Sequence, residues 1–129
     1  MKNLKFKLIL IFFSLFTTAF QSFSQISDEI VLSIQSGNEV MLASYFNQNV
    51  ELRVLPHDDV FSKSQTQQIV AGFFKANKPK QFSIIYQGGK DGSRYAIGNL
   101  ITNTGTFRVH FSFRIKNKKS FIHQLKIEK

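Results

Sequence analysis

The chain of 129 residues has no cysteine, only two prolines, and less than half as many acidic as basic residues, 8 against 17. Without cysteine there is no disulfide, no thiolate metal site and no lipid-modified N-terminal cysteine. Also missing are a His-x-x-x-His pair, a Gly-x-Ser-x-Gly elbow and a glycine loop of the phosphate-cradling type. Gly88-Gly89 is not followed by the helical pattern that would make it an anion site. These absences predict no catalytic residue, no metal ligand set and no cofactor.

No apolar run reaches the roughly 20 residues that a membrane-spanning helix needs. The first 24 residues instead have the pattern of a secretory leader. Lys2, Lys5 and Lys7 precede an apolar stretch from Leu8 to Phe16, and Ser22-Phe23-Ser24 places small residues where a signal peptidase cuts. The expected mature chain is residues 25–129, starting at Gln25, with no transmembrane segment after cleavage. Export without cysteines predicts a bacterial protein of the periplasm or the exterior, held together by its core alone.

At 105 residues the mature chain is one domain of ordinary size. It keeps 14 basic and 8 acidic residues, a net of +6. The excess is spread out, with Lys116, Lys118 and Lys119 the densest group. A nucleic-acid binder needs a concentrated stripe with stacking aromatics, so no specific nucleic-acid partner is predicted.

The clearest pattern is the alternation in the last third. Phe107, Val109, Phe111, Phe113 and Ile115 share one strand face, backed by Arg108, His110, Ser112 and Arg114. Tyr95, Ile97, Asn99 and Ile101 share a face opposite Ala96, Gly98, Leu100 and Thr102. Asn103-Thr104-Gly105 and Asn117-Lys118-Lys119 mark turns. A last strand places Phe121, His123, Leu125 and Ile127 together. Short connections predict an antiparallel meander with one apolar face to cover.

The first half supplies the cover. Ser27 caps a short helix with Asp28 and Glu29 in its first turn and a stripe of Ile30, Val31 and Ile34. Gly37 ends it, and Asn38 caps a second helix through about Phe46. Val50, Leu52 and Val54 alternate as a strand. Pro56-His57-Asp58-Asp59 reads as a turn, with Val60-Phe61 either a short strand or a loop. Ser64-x-x-Gln67 has capping-box spacing before a helix carrying Ile69, Val70, Phe73 and Phe74, stopped by Pro79. Phe82, Ile84 and Tyr86 alternate again, and Gly88 to Gly92 turns the chain. The result is an α+β domain: a mostly antiparallel sheet packed on about three helices.

Several segments carry a resemblance: Gly72-Phe73-Phe74, Pro79-x-x-Phe82, Tyr86-Gln87-Gly88-Gly89, Tyr95-Ala96-Ile97-Gly98, Gly105-x-Phe107-Arg108-Val109 and Ile122-x-x-Leu125-x-Ile127. Together they resemble a family of small exported bacterial proteins of unknown function with a nuclear-transport-factor-2-like fold, the cystatin-like cone. The resemblance implies a curved sheet wrapped around helices and brings no catalytic residue with it.

Within such a cone Tyr45, Tyr86, Tyr95 and His123 are the candidate pocket residues. With a carboxylate, a phenol there can imitate an enol-stabilising isomerase; only analogy of fold suggests this. His123 has three readings: a hydrogen-bonded core histidine, a cavity residue, or a residue sent outward by a bulge. His57-Asp58-Asp59 is either a solvated turn or a base or hard-cation site. Arg108, His110 and Arg114 form a candidate polar surface, one that a homodimer can use. The leading expectation is a non-catalytic exported binding or assembly domain. The alternative is a small-molecule carrier or isomerase-like enzyme using the cone interior.

Overall fold

The computed structural model describes residues 26–129, so the expected leader of residues 1–24 lies outside the described residues. Nine elements follow in order: α1 (Asp28–Gln35), α2 (Glu39–Ala43), β1 (Phe46–Val54), β2 (His57–Ser62), α3 (Lys63–Ala76), β3 (Pro79–Lys90), β4 (Ser93–Thr102), β5 (Gly105–Lys116) and β6 (Lys119–Glu128). The strands make one sheet in the order β2-β1-β6-β5-β4-β3. Every neighbouring pair is antiparallel except β1 with β6, which join sequence-distant halves in parallel. None of the described helices is long and apolar enough to cross a membrane.

The alternation read from β4 and β5 sets the inner face. Ala96 and Leu100 from β4 and Phe107, Val109 and Phe111 from β5 are buried there with Val50 and Leu52 of β1. Ile30 and Ile34 of α1 and Val70 and Phe74 of α3 close over them, so each helix buries one stripe against the sheet. Ile115, expected on the apolar face, is partly exposed because its end of β5 runs beyond this cover.

Gly98 fixes the curvature beside the core. A Cβ there would stand 2.4 Å from Cε1 and Cζ of Phe82, which lies across β4 from the neighbouring strand. The ring takes the space of the missing side chain, so strand and aromatic approach closely.

Four expectations need correction. The turn after β1 is only Leu55-Pro56; His57, Asp58 and Asp59 open β2, paired with Val54, Arg53 and Leu52. The extended pairing wins because Asp58 meets Arg53 at 3.2 Å. The capping box sits two residues earlier than expected. Ser62 Oγ accepts from the Gln65 backbone N–H at 3.2 Å, and Gln65 Oε1 accepts from that of Ser62 at 3.1 Å. Strand β2 runs directly into α3, so the first hydroxyl at the junction becomes the cap. Gly88 and Gly89 belong to β3, and only Asp91-Gly92 turns. Helix α2 ends at Ala43, and Phe46 begins β1.

Gly98→Ala should cost about 1–3 kcal/mol by overpacking, measured as a shift in urea midpoint. Phe82→Leu in the same chain should recover part of it. Additive losses in the double variant would mean the two positions do not compete for space.

Candidate functional site

The helices cover the sheet unevenly. Between the start of α1, the end of α2 and the far ends of the β3–β4 and β5–β6 hairpins lies an open cleft of about 740 Å³. Its floor is apolar, with Ile30 and Phe113 both buried. Tyr45 borders it from the α2 side, and Arg94 and Lys119 border it from the hairpins. The chain enters α1 along its edge, where the Ile26 N–H donates to Gln87 Oε1 at 3.0 Å.

Among the described residues no Asp, Glu or His lines this cleft. The nearest carboxylate in role is Glu29, which accepts a hydrogen bond from the Tyr45 hydroxyl. That bond raises the Tyr45 phenol above its ordinary range, because the neutral form is the donor; Ser27 opposes the shift and burial adds to it. A phenol already committed to a carboxylate is poorly placed to steady an oxyanion.

The four pocket candidates divide. Tyr45 and Tyr95 line the cleft; Tyr86 and His123 do not. Tyr86 and Tyr95 stack with centroids 5.8 Å apart on the outer side of the hairpin, both exposed. Their mutual hydrogen bond is the main reason that Tyr95 titrates above the usual tyrosine range. Tyr95 also lies flat on Gly88, where a Cβ would come within 2.7 Å of its hydroxyl.

His123 departs from the face predicted for it. The β5–β6 register jumps from Ser112 opposite Gln124 to Phe113 opposite Ile122, which leaves His123 as the extra residue of a bulge. Ile122, not Phe121 or His123, then joins Leu125 and Ile127 in the core. The imidazole is half-buried, and its Nδ1 has no hydrogen-bond partner among the described residues. Burial, then the nearby Arg114 guanidinium, lowers its pKa; Glu51 pulls weakly the other way.

Arg108, His110 and Arg114 all lie on the outer face of β5. Arg108 is level with Glu128, His110 with Lys126, and Arg114 with Phe121. Asp58 and Asp59 border a shallow outer hollow of about 290 Å³ that Arg53 and Lys126 share. Cations there answer the acids, and no metal-holding cluster occurs among the described residues.

Arg94 was missed, though the sequence carried its signal. Counting back by twos from Leu100, Gly98 and Ala96 puts Arg94 on the core-facing side of β4. A charge at the end of an apolar stripe marks where that stripe meets water. Asp91 stands 3.6 Å from its guanidinium on the exposed turn.

A conical curved sheet with one end open defines the nuclear-transport-factor-2-like, cystatin-like class. Two solved structures share that fold at low identity. One whose name marks it as NTF2 matches with TM-score 0.59 and 18% identity, over 77% of this chain and 90% of that one. A protein of unknown function with a cystatin-like fold from Nostoc punctiforme matches with TM-score 0.55 and 12% identity, over 78% and 82%. More narrowly, the profile of the domain of unknown function DUF4783 matches residues 27–128. The crystal structure of a DUF4783 family protein from Bacteroides fragilis agrees with TM-score 0.77 and 30% identity, over 81% of this chain and 99% of that one. The chain belongs to the DUF4783 family. No curated protein matches it.

The lowered pKa of His123 predicts a pH dependence. The folded state favours neutral imidazole, so stability is full above the unfolded value near 6.5 and falls as pH drops below it. His123→Gln should flatten the urea midpoint between pH 7.5 and pH 5.5. An equal decline in the variant would place the effect on other groups.

Proposed function

We propose that this protein is a non-catalytic binding domain that holds a small molecule in the cleft between α1 and the two hairpins. One observation carries the reading. The cleft has the volume of a small-molecule site, in the usual range of about 300–1,000 Å³, and an apolar floor, but among the described residues no carboxylate or imidazole on its wall. Binding needs shape and apolar area; acid–base catalysis needs a titratable pair in reach of the ligand. The leader pattern of residues 1–24 supports export to the periplasm or beyond.

Self-association is a second reading, favoured by a different observation. The outer face of the β3–β4 hairpin exposes Tyr86, Tyr95 and Ile101 together, with Ile97 half-buried between them. Arg108 and Arg114 lie beside this apolar strip, and on the far half of the same face Arg53 pairs Asp58 and Glu128. A twofold axis along this strip would set the tyrosines of one copy against those of the other.

The neutral fluorophore N-phenyl-1-naphthylamine should brighten on binding the wild-type protein, and Ser44→Trp, which fills the rim, should weaken that binding at least about tenfold. Unchanged binding in the variant would move the site elsewhere. A turnover lost on changing Asp58 or Asp59 would overturn the non-catalytic assignment. Sedimentation should show a dimer that Tyr86→Lys dissociates; monomer alone at high concentration would remove the second reading.

A further inference from the structure

We infer that the ligand of the cleft is a small amphipathic acid, its apolar body over Ile30 and Phe113 and its anionic head toward Arg94 and Lys119. The inference rests on the binding role proposed above and adds the chemistry of what is bound.

Three observations converge on it. First, among the described residues both charged groups lining the cleft are cationic; Asp91, 3.6 Å from Arg94, stands outside the lining on the exposed turn. Glu29, the acid closest in the hydrogen-bond network, already accepts the Tyr45 proton. Second, the two kinds of surface are placed where an amphiphile needs them. Ile30 and Phe113 are buried at the floor, while Arg94 and Lys119 belong to hairpin ends. Third, Arg94 occupies a core-facing register position, level with Phe113 on β5 and Gly89 on β3. Its side chain is 27% exposed, so it is held partly out of water, where a charge-assisted hydrogen bond is stronger than at an open surface. A cationic ligand would meet like charge at this end. The overall excess of basic residues adds a field that draws anions toward the opening.

Decanoate and decanol have the same chain and differ in charge, so they isolate the head-group contribution. Displacement of N-phenyl-1-naphthylamine from the protein should give decanoate at least about tenfold the affinity of decanol. The advantage should shrink with added salt, and Arg94→Met should remove most of it while leaving the neutral fluorophore bound. Retained fluorophore binding shows that the variant cleft is intact. Should Arg94→Met fail to fold, Lys119→Met at the exposed end of β6 carries the same comparison. Equal affinities for decanoate and decanol would overturn the anionic assignment and leave the binding role standing. Absence of binding by the fluorophore and both chains would overturn the two together. Co-sedimentation with phosphatidylglycerol vesicles, lost in the Arg94 variant, would assign the cations to a lipid surface and also overturn it.

Discussion

The β3–β4 and β5–β6 hairpins are longer than the helices available to cover them. A twelve-residue strand such as β3 or β5 runs about 40 Å, whereas the eight residues of α1 span about 12 Å. An apolar sheet face must be buried, so the helices collect where the strands of β1, β6 and β5 concentrate their large side chains. The excess length lies beyond that cover. There the inner face changes from Leu100 and Ala96 to Arg94, and from Val109 and Phe111 to Phe113 and the partly exposed Ile115. The cleft is therefore a consequence of unequal element lengths, and its mixed lining records the passage from core to water.

How much of this the sequence showed depends on how local each cause is. The alternation in β4 and β5 is a property of single strands, and it placed the core residues of both. Caps and turns are local too, yet Ser62 and Ser64 offer the same spacing to Gln65 and Gln67. Only the end of β2, fixed by pairing with β1, decides between them. The His123 bulge could be named as one of three readings but not chosen among them, because a bulge is a relation between β5 and β6, and a period-2 reading of β6 alone carries straight through it. The strand character of His57 to Asp59 was hidden for the same reason. Pro, His and Asp favour turns in isolation, and the Arg53 that makes their pairing favourable lies across the hairpin. Tyr45 was placed near an interior by its helical stripe. Tyr86 went to the outside because the extra residue in β3 between Ile84 and Tyr86 shifts the faces of that strand, whereas Tyr95 lies there by the plain alternation of β4.

The interior resolves into two parts with different roles. Phe74, Phe82 and Phe111 are buried in the core, where Phe82 meets Phe111 edge to face. Phe113, stacked 5.9 Å from Phe111, is the last ring of that series and the first surface of the cleft. A single aromatic ladder thus supports the core from one side and presents a rigid floor to the other. A floor held by packing does not need to reorganise when an apolar group lands on it, which lowers the entropic cost of binding.

The rim is under different constraint. Lys119 follows Asn117 and Lys118, both of which take positive φ in the two-residue β5–β6 turn. Arg94 follows the Asp91-Gly92 turn in the same way. Side chains beside such turns contribute little to the core, so their identity can change at small cost in stability, whereas Gly98 or Phe82 cannot. A fold of this kind keeps one cone at 30% identity, as the Bacteroides fragilis structure with its TM-score of 0.77 illustrates. Whatever selectivity the cleft has must then reside in the few rim positions that the fold does not specify, and a search for ligands is better guided by Arg94 and Lys119 than by the family of the fold.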